Sequence, residues 1–250
     1  MEIKEMKEIR LPKRRQPVFK LVKRILRLFM RVEVEIGCDD LPECAIIVSN
    51  HSAKSGPLAF ELYYPHFHAT WGAHEMLGGY SSRFHYLRDV FYIRKQGKGR
   101  LSATVRAAFE ALFSKMFYKG IKILPTYTDM RFLYTVRSSM ELLSEGASLL
   151  IFPENSSRGY LDELTDAFPG FVMLAEQYLN KTGVDSPIVS AYYHRKSKKM
   201  IVEAPEYVGR LLENGMKRKE IAEYFKERIN EIYRREFKVK KDDQIQTEAR

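Results

Sequence analysis

Four short runs of apolar, β-forming residues, 45–49, 121–124, 147–152 and 187–193, alternate along the chain with stretches whose apolar positions recur at helical spacing. Apolar runs without polar alternation read as strands buried on both faces, as in a parallel sheet covered by helices. The expected fold is therefore α/β, with a mostly parallel central sheet flanked by helices. Shorter strand-like pieces fall at 32–36, 68–71, 90–93 and 200–203. A helix is expected after Pro57, which suits a first helical position with Ser55 or Gly56 as its cap. Another is expected over 101–118, where Leu101, Val105, Ala108, Phe109, Leu112, Phe113, Met116 and Phe117 share one periodicity closed by Gly120. Further helices are expected at 132–143, 171–179 and 217–235. Active sites in such sheets collect at the carboxyl ends of strands.

The chain has 250 residues, 45% of them hydrophobic, enough for one sizeable core, and no repeat or linker divides it. It contains no uncharged apolar run of about 18 residues. Its first apolar stretch is studded with Lys and Arg, unlike a signal peptide. An uncleaved, non-spanning protein is expected. Cys38 and Cys44 have no His or Cys at metal-ligand spacing and read as ordinary thiols.

A net charge of +10 calls for an anionic partner, and its distribution says which. Residues 10–31 carry nine Lys and Arg and no acid, interleaved with Val18, Phe19, Leu21, Val22, Ile25, Leu26, Leu28 and Phe29. Such a basic amphipathic segment suits an anionic membrane surface. The plainer alternative is an N-terminal helix docked on the domain with solvated cations. Residues 1–36 are thus expected to form a membrane-associating segment, 37–237 the α/β domain and 238–250 a polar tail. The expected location is peripheral, on the cytoplasmic face of the membrane. A nucleic-acid-binding protein using this basic segment is a lower-ranked alternative, and no nucleic-acid partner is expected, because the cations alternate with large aliphatic groups instead of clustering with exposed aromatics.

Two motifs end strand-like runs. Val48-Ser49-Asn50-His51-Ser52 offers an imidazole that can take a proton from a hydroxyl. Ile151-Phe152-Pro153-Glu154-Asn155-Ser156-Ser157-Arg158-Gly159 offers a carboxylate and hydroxyl, backbone and guanidinium donors suited to a phosphate monoester. Taken singly, each also reads as a structural turn.

In this order the motifs resemble the glycerolipid acyltransferase family, which includes the lysophosphatidic acid acyltransferases. Its blocks are matched by Asn50-His51, by Gly120 to Thr126, by Phe152-Pro153-Glu154 through Arg158 and by Ser186-Pro187-Ile188-Val189. Phe168-Pro169-Gly170 with Leu174-Ala175 looks like the segment between the last two. The match covers residues 45–193. The resemblance implies that His51 deprotonates a lysophospholipid or glycerol-phosphate hydroxyl, which attacks an acyl-CoA or acyl carrier protein thioester. Glu154, Ser156, Ser157 and Arg158 would hold the acceptor's phosphate end. A thioester is already activated, so neither metal nor bound cofactor is demanded.

The chain departs from the family pattern at three places. Gly56 stands where the family has the aspartate that orients the imidazole, Thr126 where it has the middle arginine, and Arg158 falls one position late. The orienter could be Glu61, or a backbone carbonyl or water. Alternatively the fold has kept a lipid site and lost transfer. Two other groups of residues invite attention. His66, His68, His74 and His85 do not follow metal-ligand spacing. Arg94, Lys95, Lys98 and Arg100, with Gly97 and Gly99, read as a basic loop that either contacts phosphates or is simply solvated.

Overall fold

The computed structural model describes residues 9–13, 17–155 and 159–238. They form a seven-stranded, mostly parallel sheet flanked by helices. Helix α1 (Pro17–Phe29) leads to β1 (Glu33–Ile36) and β2 (Ile46–Ser49), then α2 (Ser55–Tyr63) and β3 (His68–Ala73). Helix α3 (Tyr80–His85) continues directly into a π-helical stretch, Tyr86–Lys95, before α4 (Arg100–Gly120). There follow β4 (Ile123–Thr126), α5 (Phe132–Ser144), β5 (Ser148–Ile151), α6 (Gly170–Thr182), β6 (Pro187–His194), β7 (Lys199–Tyr207), α7 (Val208–Glu213) and α8 (Arg218–Tyr233).

The strand order is β1-β7-β6-β2-β5-β3-β4, and only the β6–β7 pair is antiparallel. Alternate side chains explain the uninterrupted apolar runs. Ile46 and Val48 of β2, with Leu149 and Ile151 of β5, enter the core beneath α5, α6 and α8. Ala45, Ile47 and Leu150 enter the opposite core with Ala59 and Phe60 of α2.

Two expectations are corrected. Residues 90–93 are helical, not a strand: Leu87, Phe91 and Tyr92 turn together into a cluster with Ala103, Ala107 and Ala111. Helix α2 begins at Ser55, so Pro57 is its third residue, and Ser55 Oγ donates to the Ser52 carbonyl (2.7 Å) without capping the helix. Gly120 closes α4, as expected. A side chain there would strike the Phe19 ring of α1, so the glycine is needed for that close approach.

Helix α4 also orients against simple expectation. Ala103, Ala107, Ala111, Ser114 and Tyr118 are buried, while Leu101, Val105, Phe109, Leu112, Phe113 and Met116 are 59–80% exposed. Small residues spaced four apart let α4 sit close on the neighbouring helical layer. Helix α1 behaves similarly. Phe19 is buried, Lys23 pairs with the buried Glu61, and Arg27 Nε donates to the Leu62 carbonyl (2.9 Å). Leu21, Ile25, Leu28 and Phe29 face outward. No helix among the described residues is long and apolar enough to cross a membrane.

Candidate active site

Strands β2 and β5 are parallel neighbours, with Val48 opposite Ile151. Three residues further along each chain come His51 and Glu154, so the sheet register itself brings the two motifs together. Asn50 fastens the end of β2 to β6: its Oδ1 accepts from the Tyr193 backbone N–H (2.8 Å), and its Nδ2 donates to the Tyr193 carbonyl (3.1 Å). Ser52 Oγ donates to the same carbonyl (2.9 Å). Ser52 and Ala53 then adopt left-handed conformations, φ 44° and 56°. Two such non-glycine residues in a row cost roughly 1–2 kcal/mol each. Strain of this kind collects at functional turns.

The His51 ring lies between Phe152 and Tyr160, with centroids 4.6 and 4.8 Å away. It lines a cavity of about 670 Å³ whose walls include Leu58, Trp71, Phe91, Phe113 and Tyr118. Lys54, Arg106 and Glu110 also line it. Lys54 ion-pairs with Glu110, and its Nζ sits 4.6 Å from the Phe91 ring centroid. Most of the lining is apolar, as in small-molecule sites generally.

The ring borders the cavity, partly exposed to it and otherwise enclosed by protein. That burial is the main reason its pKa falls from 6.5 to about 4; Lys95 adds to the drop, and the backbone carbonyls of Ala53 and His51 oppose it. Its Nδ1 is buried without a hydrogen-bond partner among the described residues. The imidazole is therefore neutral at pH 7. Glu154 moves the other way: burial raises it to about 7, against the His51 backbone N–H and the Lys95 charge, which lower it. Its Oε1 lacks a hydrogen-bond partner among the described residues. Burial lowers the pKa of Lys95, which Glu154 partly counters, and its ammonium stands 5.4 Å from the Tyr160 ring centroid.

No known family model matches this chain, and no curated protein matches it.

The sequence-named residues separate into three groups. His51 and Glu154 come together. Ser156, Ser157 and Arg158 lie outside the described residues. Glu61 is engaged elsewhere: it pairs with Lys23 and lies 3.9 Å from His68 Nε2, and it is not among the charges that shift His51. At Gly56, where the resemblance would place an aspartate, the backbone is closed in. A Cβ there would fall on the His51 carbonyl oxygen, so this helix start has no room for a side chain at that position. Thr126 ends β4 at the sheet edge, three strands from β2, and its Oγ1 donates to the Gly72 carbonyl (3.0 Å). Nearby, Arg131 is occupied by Asp129 (2.7 Å).

Two residues join the site that the sequence did not single out for it. In sequence Lys95 belongs to a basic loop, but it closes the π-helical stretch and lies beside Glu154 and Tyr160. Such stretches recur at functional sites, and a helical reading of 86–95 would have exposed this signal. Tyr160 follows a left-handed Gly159 (φ 92°), which turns the chain back over His51.

Proposed function

We propose that this protein is an acyltransferase of the glycerolipid type, working at a membrane surface with an acyl-CoA or acyl carrier protein donor and a lysophospholipid or glycerol-phosphate acceptor. The observation that carries this reading is His51 at the wall of a large apolar cavity, in register with Glu154. The cavity takes the acyl chain and leaves the thioester beside the imidazole. His51 removes the acceptor hydroxyl proton as the oxygen bonds to the thioester carbonyl carbon. The C–S bond then breaks, and the departing thiolate recovers the proton from His51. Lys95 and Glu154, with Ser156, Ser157 and Arg158, form the acceptor site. An acceptor phosphate bound there raises the imidazole pKa, since an anion favours the charged ring. Helix α1 is the membrane-associating element of this reading.

A second reading, a noncatalytic lipid-binding protein of the same fold, draws on the unpartnered Nδ1 and the closed space at Gly56. Thiol release from palmitoyl-CoA and palmitoyl carrier protein, with and without lysophosphatidic acid, separates the two. Acceptor-dependent release that disappears in His51→Ala supports transfer. Saturable lipid binding with no release favours the second reading.

A further inference from the structure

The exposed stripe of α4, Leu101, Val105, Phe109, Leu112, Phe113 and Met116, is large for a surface facing water, and single exposed apolar residues do not account for it. At about 100° per residue these six span roughly a third of the helix circumference, opposite the buried alanines. Lys115 borders one flank and Arg106 the other, while the nearby acid Glu110 is held by Lys54. Phe109, Phe113 and Met116 are at once surface residues and cavity wall. An acyl chain can therefore pass from this face to His51 over apolar groups. Phe19, on the buried face of α1, packs edge-on against Phe117 of α4 (6.2 Å), which holds α1 beside α4.

We infer that the α4 stripe is a bilayer-contact face and that the acyl chain enters the cavity laterally from the lipid. The inference rests on the lipid-site reading above and adds to it the surface and the route. The occupant is an anionic bilayer and not a second copy of the chain. A two-fold contact through this stripe would set the flanking cations Lys115 and Arg106 of the two copies against one another, whereas acidic headgroups neutralise them.

The test uses the full chain, vesicles of equal parts phosphatidylglycerol and phosphatidylcholine, and the variant Val105→Asp/Leu112→Asp, which alters exposed positions outside the cavity wall. Partition onto vesicles, read by flotation with no substrate present, falls by about tenfold or more while the melting temperature stays unchanged. Bromine-bearing acyl chains in the vesicles quench Trp71, the sole tryptophan and a cavity residue, in the wild type. Flotation of the variant equal to wild type overturns the surface. So does an apolar face that proves to be a dimer contact, seen as a wild-type dimer that the variant splits without losing flotation. Flotation with Trp71 unquenched overturns the lateral route. None of these readouts needs turnover, so an inactive protein that floats and is quenched keeps this inference while removing acyl transfer.

Discussion

Replacing His51 by phenylalanine keeps a ring between Phe152 and Tyr160 and removes its proton. The wild-type imidazole is held from 6.5 down to about 4 chiefly by burial, so the folded protein binds that proton less readily than the unfolded chain. Its contribution to stability is complete above 6.5 and is lost as pH falls through about 4. At about 1.4 kcal/mol per pH unit, the whole effect is roughly 3 kcal/mol, of which about 2 kcal/mol falls between pH 7 and pH 5. Urea unfolding at those two pH values measures it. The wild type should lose about 2 kcal/mol more than His51→Phe over this interval, although His68, also lowered to about 4 by burial, keeps titrating in both proteins. Glu154, raised to about 7, works in the opposite sense in both: its contribution is present at low pH and fades as pH rises from 4.5 through about 7. Identical pH dependence in the two proteins would refute the claim that His51 is held neutral by burial.

Gly56→Ala places a methyl group on the His51 carbonyl oxygen and should cost about 2–4 kcal/mol, seen as a lowered melting temperature; an unchanged melt would show that α2 starts differently. On α4, Ala107→Leu should destabilise by about 1–3 kcal/mol by overpacking, whereas Leu112→Ala should stay within about 0.5 kcal/mol. The reverse order in thermal unfolding would mean that the helix faces the other way. Lys23→Met leaves the Glu61 carboxylate buried with poorer pairing and should cost about 2 kcal/mol, with faster hydrogen exchange across α1. Unaltered exchange there would show that this ion pair does not hold the helix.

The strands were legible because both sheet faces are buried, which turns strands such as Ile46–Ser49 and Ser148–Ile151 into unbroken apolar runs. The pairing of His51 with Glu154 follows from the topological rule that strand ends share a crevice. Residues 86–95 were not legible, because Val90, Phe91, Tyr92 and Ile93 are β-formers held in a helical stretch by packing on the alanine face of the following helix, α4. Periodicity located α4 but could not say which face is inside, since it registers two unlike faces and not their neighbours. Small residues at 103, 107 and 111 were the available clue. The closed space at Gly56 could not be read at all, because it depends on where α2 turns back over the His51 carbonyl.

Transfer of a labelled acyl group tests the central claim most directly. Isotopically labelled palmitoyl-CoA and palmitoyl carrier protein are incubated with lysophosphatidic acid in mixed micelles, and the lipids are analysed by mass spectrometry. The account predicts label in phosphatidic acid with the wild-type protein and none above background with His51→Ala. Label that stays on the donor, or appears only as free fatty acid in equal amounts with both proteins, would contradict it.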